Sequence, residues 1–172
     1  MGKKVSVENF AIIDTSCLIY LWKLELLQKL VIRYRIVYIP KYVKEEFTRK
    51  GKIKRRFQEF LQNYNIFLKI CDVENFYDVQ LLYDKRRNPK ARIDRGEAEV
   101  IIQAREHGIS NVLINDTKGE NIAKSHTLSV KNIFDILEDF EKNGFIENVE
   151  TEIQKLGLKK NKFIERNKNG QT

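Results

Sequence analysis

Phe10-Ala11-Ile12-Ile13-Asp14-Thr15-Ser16 decides how this chain folds. A short apolar run stops on an acid, and helical periodicity follows, with Leu18, Ile19, Leu21, Trp22, Leu26, Leu27 and Leu30 on one face of a helix expected over 15–30. That is a buried strand feeding a helix. The pattern recurs. Ile36-Val37-Tyr38-Ile39 reads as a second strand, and Pro40 opens the next helix at about its first position. Residues 66–70 read as a third strand. Val112-Leu113-Ile114 is too short and apolar for anything but a buried strand, and a last short strand covers 127–130. Helices are expected near 51–64, 74–84, 96–107 with Gly108 as the stop, 117–125, 133–142 and 147–156. Strand–helix alternation of this kind builds a parallel sheet with helices on both faces, a three-layer α/β/α fold. Such sheets bind ligands outside the carboxyl ends of their strands.

The chain has 172 residues, enough for one domain with a real core. The expected division is one domain over residues 1–157 and a basic, loosely ordered tail over 158–172. No apolar run approaches the ~20 residues that span a bilayer, and no signal-peptide stretch opens the sequence. A cytoplasmic location with no membrane partner is expected. Cys17 and Cys71 have no metal-site spacing and read as small core residues. His107 and His126 are isolated, which argues against histidine-based nucleophilic catalysis.

Net charge is +8, which favours a polyanionic partner. The cations cluster. One group is Lys50, Lys52, Lys54, Arg55 and Arg56; a second is Lys85, Arg86, Arg87, Lys90 and Arg92; a third lies in the tail from Lys159. The second group directly precedes the acid-bearing segment Asp94–Glu99. A basic rim beside an acidic centre is what a phosphodiester requires.

Four acids stand near element ends: Asp14, Glu46, Glu97 and Asp116. Each has a simpler reading. Asp14 and Asp116 could cap the helices that follow them. Asp94 and Glu97 have capping-box spacing. Glu46 could be one more charge on a solvated face. Its neighbour Glu45 points away from the buried stripe of Val43 and Phe47, however, while Glu46 lies about 80° from the stripe centre at 100° per residue. Glu120 could share the face of Asp116 as an auxiliary ligand. Converging carboxylates repel unless a cation neutralises them, and hard oxygen donors point to Mg²⁺ or Mn²⁺ rather than zinc. Ser16, two residues beyond Asp14, could orient a water or act as the cap.

In order and spacing, Ile12-Ile13-Asp14-Thr15-Ser16, Pro40-x-x-Val43-x-x-Glu46, Glu97-Ala98-x-Val100-Ile101-Ile102-x-Ala104 and Leu113-Ile114-Asn115-Asp116 resemble the PIN-domain nucleases over roughly residues 10–143. The segment Asp94-x-Gly96-Glu97-Ala98-Glu99 looks like that of a prokaryotic PIN-like subgroup. The resemblance implies Mg²⁺- or Mn²⁺-dependent endoribonuclease activity on RNA, with Asp14, Glu46, Glu97 and Asp116 as catalytic metal ligands and Ser16 as a supporting hydroxyl. Many relatives are toxin halves of VapBC-type pairs, so an antitoxin protein and a homodimer enter as expected partners. Two positions depart from the family pattern: Glu97 stands where many members carry Asp, and Ile114 where many carry Thr. The rival reading is a non-catalytic nucleic-acid-binding module on the same scaffold. A phosphoryl-transfer enzyme of the haloacid-dehalogenase type needs a second Asp where Ser16 stands.

Overall fold

The computed structural model describes residues 8–49 and 51–158; Lys50 and the basic tail from Lys159 lie outside them. The described residues form a five-stranded, all-parallel sheet flanked on both faces by helices, in the strand order β3-β2-β1-β4-β5. The strands are β1 (Glu8–Ile13), β2 (Tyr34–Pro40), β3 (Leu68–Cys71), β4 (Asn111–Leu113) and β5 (Ser129–Lys131). The chain winds outward from β1 through β2 to β3, then returns to the other side of β1 for β4 and β5. The order therefore reverses between β1 and β4. A crevice opens at such a switch point, outside the carboxyl ends of its two strands.

β1 is central, and Ala11, Ile12 and Ile13 are completely buried. Its register with β4 pairs Ile12 with Val112 and Ile13 with Leu113. The Asp14 N–H then donates to the Leu113 carbonyl at 2.9 Å. Asp14 and the Asn115-Asp116 pair thus leave the sheet at almost the same level, on adjacent strands.

The helix expected over 15–30 is two helices, α1 (Thr15–Lys23) and α2 (Leu27–Arg33). Glu25 takes a left-handed conformation with φ 57° at the break. No glycine or proline marks this corner, and leucines on both helices enter one core, so apolar periodicity runs through the break unseen. α3 (Lys41–Thr48) begins directly after Pro40, and α4 is Lys54–Asn63. The Trp22 ring meets Phe47, Phe57 and Phe60 edge-on at 5.8, 5.5 and 5.6 Å, contacts worth about 0.5–1.5 kcal/mol each beyond their burial. This wedge fixes the rotation of α3 against α1, which matters for Glu46, the residue beside Phe47.

The third strand sits later than the run 66–70 implied: Ile66 and Phe67 lie in the turn before it, and they and Ile70 on the edge strand are exposed. α5 (Phe76–Tyr83) leads through the loop 84–94 into α6 (Arg95–Glu106), the most buried helix. α7 (Thr117–Ser125), α8 (Ile133–Lys142) and α9 (Val149–Lys155) complete the described chain. Among the described residues no helix is long and apolar enough to cross a membrane.

Candidate metal and phosphodiester site

The crevice between β1 and β4 is lined with carboxylates, four of them held by backbone N–H groups at the start of a helix and the fifth, Glu46, by a hydroxyl. Asp14 is the N-cap of α1. Its Oδ1 accepts from the Cys17 N–H at 2.7 Å, and its Oδ2 accepts from the Asn115 N–H at 3.2 Å. The cap reading and the site reading therefore coexist in one side chain, which also ties the β1 exit to the β4 exit. At 3% exposure, burial pushes the Asp14 carboxyl up to about 6, against the lowering pull of those two N–H groups.

Glu97 lies in the first turn of α6 and closes a capping box with Asp94. Asp94 Oδ1 accepts from the Glu97 N–H at 2.8 Å, and Glu97 Oε2 accepts from the Asp94 N–H at 3.1 Å. Its other oxygen rests against α7: a Cβ added to Gly119 would stand 3.0 Å from Glu97 Oε1. Burial raises Glu97 to about 7, with further repulsion from Asp94, Asp116 and Asp14. Asp94 is also raised, by burial of its carboxyl and then by the charges of Glu46 and Asp116.

Asp116 caps α7, and its Oδ1 accepts from the N–H groups of Lys118 and Gly119 at 2.8 and 3.3 Å. Glu46, half-buried on α3, accepts a hydrogen bond from the Thr15 hydroxyl, while Glu45 is exposed. A Cβ at Gly96 would meet Asp94 Oδ1 and Glu46 Oε2 at 3.4 Å and Thr15 Oγ1 at 3.5 Å. Asp14, Glu46, Asp94, Glu97 and Asp116 are thereby drawn into one neighbourhood. None of them forms an ion pair with a described lysine or arginine.

The remaining candidates lie at varying distances from this neighbourhood. Ser16 is exposed, and the hydroxyl that reaches an acid is Thr15's. Glu120 faces Asn132 and Lys124, at 3.4 and 3.9 Å. Arg55 pairs with Glu59, and Arg56 lies 5.9 Å from the Trp22 ring. Trp22 is in the last turn of α1, about 12 Å of helix from Asp14, so this basic group flanks the far end of that helix. The second group adjoins the acids through Asp94. Within it, the Arg86 fork is committed to Asp84, with two contacts of 3.0 Å, while Lys85, Lys90 and Arg92 are exposed on the loop.

The sequence assigned no site role to Thr15 or the two glycines, and marked Asp94 as a helix cap, which it is. The available signal was Gly96 and Gly119, each within the first turn of a helix, where glycine is unfavourable unless another side chain must come close.

Among the described residues no three acidic, cysteine or histidine side chains already stand together as a metal-holding group. The donor chemistry nonetheless fits a hard cation. The oxygens are carboxylate, their mutual repulsion is uncompensated, and Asp116 Oδ2 and Glu97 Oε1 carry no hydrogen bond from a described residue. Mg²⁺ keeps much of its water and takes only one or two carboxylates directly, so a ready-made cage is not required.

A family model described as PIN domain matches residues 10–168. No curated protein matches the sequence. With the family model covering most of its length, the chain belongs to the PIN-domain family, whose members are generally nucleases that use divalent metals.

Proposed function

We propose that this PIN domain is an endoribonuclease that hydrolyses RNA phosphodiesters with Mg²⁺ or Mn²⁺. The observation that carries the reading is the set of acids at the β1–β4 switch point, Asp14 and Glu97 buried, Glu46 half-buried and Asp94 and Asp116 exposed at its mouth, none of them in an ion pair with a described cation. Asp14, Glu97 and Asp116 would hold the cation, with Glu46 bound directly or through water. One or two such ions supply Lewis-acid stabilisation of the phosphoryl oxygens and a nucleophilic water at neutral pH.

The chain's own residues do the rest. Cys17 and Asn115 N–H groups hold Asp14 in one orientation. The Thr15 hydroxyl orients Glu46, and the Asp94 N–H fixes Glu97. Lys85, Arg87, Lys90 and Arg92 on the preceding loop offer positive charge to the substrate backbone. The choice of RNA, and the toxin role with an antitoxin partner, come to this chain from the family resemblance alone.

One observation favours a second reading, a non-catalytic nucleic-acid-binding module: no metal-holding group is preformed among the described residues. The test is a fluorescent single-stranded RNA incubated with the full chain in Mg²⁺, Mn²⁺ or EDTA, beside Asp116→Asn. Asp116 Oδ2 is uncommitted, so an amide nitrogen fits there without disturbing the cap. Metal-dependent cleavage that falls about a thousandfold or more in the variant supports the nuclease, since several kcal/mol of transition-state stabilisation are at stake. RNA binding without cleavage in any condition supports the binding module.

A further inference from the structure

The first turn of α5 carries two aromatic side chains that the core does not cover, Phe76 at 37% exposure and Tyr77 at 55%. Each is faced by a guanidinium. Arg95 Cζ lies 4.8 Å from the Phe76 ring and 4.3 Å from the Tyr42 ring, and Arg87 Cζ lies 5.7 Å from the Tyr77 ring. All three distances are within cation–π range.

Arg95 is not a free phosphate clamp. Its Nε donates at 2.9 Å to Glu99 Oε1, and Glu99 is almost wholly buried. The charge of Arg95 is therefore matched by Glu99, which holds its guanidinium against the Tyr42 and Phe76 rings. This group is next to the acidic crevice along two helices. Arg95 lies between Asp94 and Glu97 in sequence, and Tyr42 stands one turn before Glu46 on the same face of α3. Arg87 belongs to the basic loop.

We propose that the Tyr42–Arg95–Phe76 stack and the Tyr77–Arg87 pair form a nucleobase-docking surface for an unpaired base of a single-stranded RNA whose phosphates the basic loop holds. The identity of the ligand rests on the nucleic-acid reading above; the surface itself rests on the ring and guanidinium geometry. Aromatic faces and guanidinium planes stack on any base, whatever its sequence. A duplex keeps its bases stacked inside and offers none to such a surface. A purely structural role for Phe76 and Tyr77 would bury the rings, and a purely electrostatic role would leave Arg95 unmatched.

The experiment measures binding of the full chain in EDTA, so that nothing is cleaved, to two probes: a short oligouridylate and an abasic ribose-phosphate strand of equal length. The variant is Phe76→Leu with Tyr77→Leu, which keeps apolar bulk and removes the π-faces, with circular dichroism to verify folding. Wild type is expected to prefer the oligouridylate. The variant should lose about tenfold or more on that probe, nothing on the abasic strand, and none of its salt dependence, because the phosphate contacts are intact. Equal wild-type affinity for both probes overturns the inference, as does an equal loss on both. Metal-dependent cleavage by wild type and Asp116→Asn is read separately. Cleavage intact without base-dependent binding overturns only the docking surface; base-dependent binding without cleavage overturns only the nuclease.

Discussion

Among the regions that remove ionisable side chains from water, two contrast most, one between α2 and α8 and one where β1 and β4 end. In the first, Arg33 is 4% exposed and meets Asp139 through Nε at 2.6 Å and Nη2 at 3.3 Å. The Tyr34 ring lies 5.4 Å from its guanidinium, and Lys131 stands 3.9 Å from Asp139. Charge is matched by charge, with geometry good enough to offset desolvation. In the second region, Asp14 and Glu97 are buried beside Asp94, Glu46 and Asp116 with N–H groups and one hydroxyl for company. The chain does not lack cations, having 32 lysines and arginines. It places none of the described ones in ion-pair contact with these acids. A fold that compensates one buried charge and leaves a cluster of others uncompensated has left room for a counter-ion from solution.

The largest effect expected from this contrast comes from removing one charge in each region. Arg33→Met leaves Asp139 with only Lys131 at 3.9 Å and Asn143 at 3.5 Å among the described residues, and should cost about 3 kcal/mol of stability, the low end of the penalty for breaking a buried pair. Glu97→Gln should do the opposite in metal-free protein at pH 8. It keeps the acceptor for the Asp94 N–H and removes a charge that burial and its neighbours oppose, a gain of about 3 kcal/mol from a rise of 4.5 to about 7. Denaturant unfolding of both variants in EDTA checks this. If Glu97→Gln is as destabilising as Arg33→Met, the two regions are not different in kind.

Proton uptake gives a smaller, graded version of the same contrast. Asp14 and Glu97 sit at about 6 and about 7 in the folded chain, against 3.8 and 4.5 ordinarily. Between those ranges the folded state binds more protons than the unfolded one, so stability falls as pH rises. The metal-free protein should therefore have its highest Tm near pH 4–5 and lose stability as pH climbs through 6 and 7. Added Mn²⁺ should recover it at pH 8, because binding to the folded state alone stabilises it. Thermal melts at pH 5 and pH 8, with EDTA and with Mn²⁺, read the sign directly. A Tm that climbs from pH 5 to pH 8 in EDTA would show that the acids are compensated from within.

Much of this was legible in the sequence, and the reasons differ by level. The parallel α/β fold follows from apolar runs as short as Val112-Leu113-Ile114, which admit only a buried strand, and from the helical periodicity between them. The break at Glu25 was not legible, because a left-handed corner without glycine leaves no composition signal and both helices feed one core. Asp14 and Asp116 could be placed at the same sheet edge once the strands were assigned. Their junction through the Asn115 N–H could not, since it depends on strand order and register. The sequence already set the Lys85–Arg92 group beside the acid-bearing segment, but left Arg55 and Arg56 without a place. Packing supplies that place: the Trp22 wedge carries Arg56 to the far end of α1, whereas the chain that follows Arg92 enters the crevice at Asp94.

The smallest expected effect concerns the hydroxyl beside the acids. Family resemblance assigns a supporting hydroxyl to Ser16, whereas the structure has Thr15 donating to Glu46 Oε2 and Ser16 exposed. Thr15→Val preserves shape and removes the donor, leaving that Glu46 oxygen without its partner and free to turn. Loss of a hydrogen bond that orients a ligand typically costs about tenfold or more in metal affinity or rate, so cleavage should fall by about tenfold and the metal concentration for half-maximal activity should rise. Ser16→Ala should change neither by more than about twofold, as expected for an exposed side chain away from such contacts. Titrating Mn²⁺ in the cleavage assay with both variants decides the assignment. A larger loss at Ser16 would mean that the hydroxyl acts on bound water or substrate rather than on Glu46, and the internal contribution to the acid cluster would then be the backbone alone.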